Sequence, residues 1–132
     1  MSAPRLGMAT LVVRDYDEAI GFFVGKLGFK LIEDVAQSET KRWVVVEAEG
    51  GGQLLLAKAA NETQAAVVGN QTGGRVGFFL YTGHFDATYR QLKARGVRFV
   101  EEPRSEAYGK VAVFEDLAGN RWDLIEKKEA RP

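Results

Sequence analysis

Apolar residues along this chain recur at two different spacings, and each change of spacing marks an element. Leu6 to Val13 is apolar and rich in β-branched residues, which predicts a strand. Asp15 follows as an N-cap with Glu18 three positions on, the pairing that satisfies backbone donors reciprocally at a helix start. From Tyr16 to Leu27 the apolar positions Ala19, Ile20, Phe22, Phe23 and Leu27 fall at helical spacing, and Gly28 ends the helix. Phe29 to Val35, Arg42 to Glu47 and Gln53 to Ala57 read as strands, the last two joined across Gly50-Gly51-Gly52. The first half is therefore a βαβββ unit.

The second half repeats it. Ala59 to Gln71 is polar and alanine-rich and predicts one short helix, closed by the flexible Gly73-Gly74. Arg75 to Tyr81 reads as a strand and Phe85 to Arg95 as an amphipathic helix with Tyr89 and Leu92 inward. Strands follow near Val97 to Glu101, Lys110 to Phe114 and Arg121 to Glu126, with a hairpin turn at Asp116-Leu117-Ala118-Gly119-Asn120. Gly28-Phe29-Lys30-Leu31-Ile32-Glu33-Asp34 is echoed by Gly96-Val97-Arg98-Phe99-Val100-Glu101-Glu102, an offset of 68 positions that also carries Val45 onto Val113, Glu47 onto Glu115, Gly51 onto Gly119 and Leu56 onto Leu124. The expected fold is α+β, with tandem βαβββ modules forming a curved mixed sheet around a cleft. Residues 1–132 make one domain, with modules 5–58 and 75–127 joined by a linker at 59–74. One helix covers one face of each sheet, so the other face stays apolar and open until the second sheet curves against it.

Composition narrows the function. Eighteen basic and eighteen acidic residues cancel, with no basic stripe interleaved with aromatics, so no nucleic-acid partner is expected. The absence of cysteine removes disulfides and thiolate metal sites, and no apolar run is long enough for a spanning helix or a signal peptide. The expectation is a cytoplasmic protein with no membrane partner.

Val13-Arg14-Asp15 followed by Ala19, Phe22-Phe23 and Leu27-Gly28-Phe29, together with Asp116-Leu117-Ala118-Gly119-Asn120 and Asp123-Leu124, resembles the opening and closing signatures of the vicinal oxygen chelate superfamily, the glyoxalase/bleomycin resistance/dioxygenase fold. The resemblance implies two facing modules, commonly in a homodimer, and in the family's enzymes a divalent metal held by a residue from the first and last strand of each module. The positions that correspond here are Met8, Leu55, Gly77 and Asp123. A hard divalent cation needs several oxygen or imidazole donors, and a single carboxylate does not suffice. The expectation is no metal and no cofactor.

Strand parity from those positions puts Met8, Thr10, Gln53, Leu55, Gly77, Phe79, Arg121 and Asp123 on the cleft face, mostly apolar with sparse polar handles, as in small-molecule sites. Trp43 and Tyr108 are candidates for flat stacking surface, and the same residues would equally fill the space between sheets. Gly77 within a strand marks either a close approach or a bulge. Asp123 is either a structural carboxylate hydrogen-bonded beside Arg121 or Gln53, or a ligand anchor and weak catalytic candidate. Glu47 and Glu115 form a weaker carboxylate pair. His84, the sole histidine, reads as a surface residue at a helix start. Two classes of function stay open: a protein that binds a small, partly aromatic or apolar molecule without metal, and an enzyme, metal-dependent or carboxylate-based, of the lyase, isomerase or dioxygenase kind.

Overall fold

The computed structural model describes residues 2–128 and divides into two compact units, one running through Val68 and the other beginning at Gly69. In the first, β1 (Met8–Val13) leads into α1 (Tyr16–Ile20), and the chain continues through β2 (Lys30–Ala36), β3 (Arg42–Glu47) and β4 (Gln53–Lys58). The sheet order is β1-β4-β3-β2, with β1 parallel to β4 and the other pairs antiparallel. In the second unit β5 (Val76–Tyr81) and α3 (Phe85–Ala94) precede β6 (Arg98–Phe99), β7 (Arg104–Glu106), β8 (Gly109–Glu115) and β9 (Arg121–Lys127). Its order is β5-β9-β8-β6, again with the first pair parallel, and β7 joins β8 beside β6. These mixed sheets with few helices match the expected fold class, and the two units share one topology.

Side-chain alternation decides what each sheet buries. Leu11 and Val13 of β1, Val44 and Val46 of β3, and Leu54 and Leu56 of β4 share one face and are buried, together with Ala19 and Phe23 of the helical segment. Burying each leucine, valine or phenylalanine side chain among them contributes roughly 1.5–3 kcal/mol. The opposite face carries Met8, Thr10, Val12, Gln53, Leu55 and Ala57, all at least partly exposed.

Local chemistry departs from the sequence reading in four places. Asp15 caps α1 by accepting the Glu18 amide at 2.8 Å, but the Glu18 carboxylate pairs with Arg14 at 3.0 Å instead of reaching back, so half of the reciprocal cap forms. After Ile20 the helix widens into a π-helical segment, Gly21–Lys26, where Leu27 donates to the Phe22 carbonyl five residues back at 3.1 Å. The wider turn buries the adjacent Phe22 and Phe23, their rings edge-to-face with centroids 5.2 Å apart. The helix expected between Ala59 and Gln71 shortens to α2 (Glu62–Ala65), capped by Asn61 accepting the Gln64 amide. The strand expected at Val97 to Glu101 is cut to β6, and the chain resumes pairing as β7, which sequence periodicity did not reveal. Pro103 lies between the two pieces and cannot donate to a ladder, which explains the break.

The turn after β8 is organised by one buried carboxylate. Asp116 Oδ1 accepts the backbone amides of Ala118, Gly119 and Asn120 at 3.0–3.1 Å, while Oδ2 accepts the Asn120 side-chain amide and Trp122 Nε1, both at 3.1 Å. Asn120 is buried too, and its Oδ1 accepts the Gln71 amide at 3.1 Å, tying the turn to the start of the unit. Gly69 is required there: its φ of +78° is left-handed, and a Cβ would collide with the Ala118 carbonyl oxygen. Trp122, positioned by Asp116, stacks on Phe78 and Phe114 at centroid distances of 4.7 and 5.7 Å. Asp116→Ala removes the acceptor for five donors and is expected to destabilise by about 3 kcal/mol. Equilibrium denaturation measures this, and a loss below about 1 kcal/mol would show that water or relaxation replaces the carboxylate.

Candidate functional site

A cavity of about 700 Å³ lies at one end of the first sheet and is lined from both of its faces, with Leu56 and Tyr16 contributed from the helix-covered side. Thr10, Leu55 and Ala57 line it from β1 and β4, and Trp43 from β3. Thr10 stands opposite Leu55 in the parallel register, and Val45, beside Leu55 on β3, places Trp43 on the same face. The Trp43 ring is oriented by Nε1 donating to Glu33 Oε2 at 3.2 Å. At the end of the sheet the wall turns polar, with Tyr16, Ser38, Thr40, Lys41 and Arg42 on one side and Lys58 and Gln64 on the other. The volume lies within the range of small-molecule sites, and an apolar wall with sparse polar groups suits them.

Of the residues expected at a site, Thr10, Trp43 and Leu55 line this cavity, whereas Met8 and Gln53 do not. Gln53 donates through Nε2 to Glu47 Oε1 at 2.9 Å, which engages both residues within the sheet. The polar rim was not legible. Residues 37–41 read as a connection, and Ser38 earns its place by folding that connection back, its Oγ accepting the Thr40 and Lys41 amides at 3.3 and 3.1 Å.

In the second unit the register sets Phe79 opposite Asp123, as Thr10 is set opposite Leu55 in the first. Phe79 is 57% exposed, and Tyr81, opposite Ile125, 60%. Asp123 is buried, and its Oδ1 has no hydrogen-bond partner among the described residues. Burial pushes this carboxyl above the ordinary 3.8, the Arg104 charge opposes the rise and the Glu101 charge adds to it. Arg104 is held by Glu101 at 2.5 Å and Glu106 at 3.1 Å, so the broken β6–β7 edge delivers these charges. Within the second unit Arg121 is exposed and gives Oδ1 no hydrogen bond.

The remaining candidates take structural places. Gly77 sits at a bulge in β5, and a Cβ there would lie 2.6 Å from Thr72 Cγ2, so its close neighbour is the chain's own linker. Tyr108 is exposed in the β7–β8 turn, where its carbonyl accepts the Lys128 amide. Glu115 faces Arg98 at 3.7 Å. His84 is exposed and starts α3 without a side-chain cap; the Phe85 amide donates to Glu126 Oε1 at 2.7 Å instead.

The chain matches the Glyoxalase/Bleomycin resistance protein/Dioxygenase superfamily over residues 5–124. It belongs to that superfamily. It is 52% identical over 125 residues to an uncharacterized protein of Shewanella frigidimarina (strain NCIMB 400), covering 92% of this chain and 93% of that protein. Among solved structures it is similar to UcmS2, at 33% identity and a TM-score of 0.81, covering 94% of this chain and 98% of that one. It is also similar to TnmS3, an antibiotic binding protein from Streptomyces sp. CB03234, at 27% identity and a TM-score of 0.76, covering 97% and 99%.

The residues at the superfamily's metal positions do not fit a metal ion. Met8 and Leu55 are apolar, Gly77 has no side chain, and Asp123 alone offers an oxygen donor. Among the described residues no group of three or more acidic or histidine side chains is gathered to hold one. No helix among them is long and apolar enough to cross a membrane.

The raised Asp123 carboxyl makes a signed prediction. The folded state binds this proton more tightly than the unfolded state, so its favourable contribution is complete below pH 3.8 and declines as pH rises through the folded-state value. Asp123→Asn is therefore expected to stabilise the fold at pH 7, with the gain over the parent shrinking as pH falls towards 3.8. Urea denaturation across pH checks it; a gain independent of pH would remove ionisation as the cause.

Proposed function

We propose that this protein binds a small, planar, partly aromatic molecule without a metal ion, in the cavity at the end of its first sheet. The cavity of about 700 Å³ walled by Trp43, Leu55 and Thr10 is the observation that carries the reading. Its similarity to TnmS3, an antibiotic binding protein, supports the same class of role. Trp43 supplies a flat ring, Leu55 and Ala57 an apolar floor, and Thr10 a hydroxyl beside them. The exposed Phe79 and Tyr81, with Asp123 behind them, offer a further ligand-contacting surface on the second unit. In this reading the protein works in the cytoplasm as a homodimer, the usual state of the superfamily.

Asp123 favours a second reading. A buried carboxyl with an unpartnered oxygen and a raised proton affinity is suited to general acid–base work, which would make the protein a lyase or isomerase. Native mass spectrometry with elemental analysis tests the metal-free premise that both readings share. An organic adduct of native mass supports the binding reading, while stoichiometric zinc, nickel, iron or manganese would overturn it.

The uncharged fluorophore phenylnaphthylamine probes the cavity directly. It is expected to bind saturably, and Trp43→Ala to weaken it about tenfold through loss of the stacking surface. Absence of saturable binding to the parent would sink the reading.

A further inference from the structure

Resting on that reading of the cavity, we propose that its ligand is an anion: a planar aromatic molecule whose negative group lies between Lys41 and Lys58. The chain as a whole is neutral, yet the lining holds three cationic residues, Lys41, Arg42 and Lys58, and no aspartate or glutamate. Arg42 is already satisfied. Its Nε and Nη2 donate to Asp34 at 3.0 and 2.7 Å, and Nη1 donates to Asp17 at 2.9 Å. That fork holds the Asp34 carboxyl below its ordinary range, and neither Asp34 nor Asp17 lines the cavity.

Lys41 and Lys58 differ from Arg42. Among the described residues neither ammonium group makes an ion pair. Lys41 follows the folded connection at Ser38, whereas Lys58 ends β4, so two lysines that make no ion pair among the described residues line one cavity from separate segments. Two like charges beside a partly apolar wall raise its potential, attracting an anion and repelling a cation. Ser38 and Thr40 add hydroxyl donors on the Lys41 side, because the Ser38 oxygen already accepts two amides and its proton is left to give. Trp43 and Leu55 take the apolar remainder of the molecule.

Two fluorophores sharing the same rings test this with the full chain. Anilinonaphthalene sulfonate is expected to bind about tenfold tighter than uncharged phenylnaphthylamine at low ionic strength, with the preference shrinking as salt is added. The double variant Lys41→Gln, Lys58→Gln should erase the preference and leave phenylnaphthylamine affinity unchanged; both lysines are exposed, and a thermal melt verifies the fold. Lys110→Gln, a lysine outside the cavity, should keep the preference. Equal affinities in the parent, or a preference that survives the double variant, would overturn the charge assignment while leaving a small-molecule site. Failure of both fluorophores to bind the parent would overturn the site itself.

Discussion

A strand's side chains alternate, and a βαβββ unit owns one substantial helix, so a sheet of this kind has one face that its own helix can cover and one that it cannot. Everything else in the molecule follows from that shortfall. In the first unit the covered face is Leu11, Val13, Val44, Val46, Leu54 and Leu56, all buried, and it supplies much of the driving force for folding. The other face is free to carry residues chosen for something besides packing. Thr10, Trp43, Leu55 and Ala57 stand there, around the cavity.

Two carboxylates in the second unit show how differently burial can be handled. Asp116 and Asp123 lie seven positions apart and are both buried. Asp116 accepts five donors, three of them from its own turn, which is why the Asp-Leu-Ala-Gly-Asn run belongs to the architecture of the fold. Asp123 has an oxygen with no partner among the described residues, and its proton affinity rises accordingly. The first arrangement holds the turn and positions Trp122; the second leaves a buried carboxyl on the face with Phe79.

Charge placement extends the same logic to the cavity. Eighteen acids and eighteen bases give no net field, so any selectivity has to be local. At the hairpin between β2 and β3, Arg42 pairs with Asp34 and Asp17, while Lys41 makes no ion pair among the described residues.

The sequence by itself determined the repeat, the element order and the sheet face to which most residues belong, because these depend on periodicity and on turn residues whose backbone preferences are local. It also determined that Met8, Leu55 and Gly77 cannot act as hard-metal ligands, since donor chemistry belongs to the side chain alone. Parity assigned Thr10 and Leu55 to one sheet face, and Trp43 was singled out as flat stacking surface; all three line the cavity. Tertiary structure decided the rest: that Gly77 makes room for Thr72, that Gln53 is taken by Glu47, that Asp123 lacks a partner at Oδ1, and that Lys41 and Lys58 border one cavity. Those facts depend on which segments approach each other across long separations in the chain, and neither the 2-residue nor the 3.6-residue period contains that information.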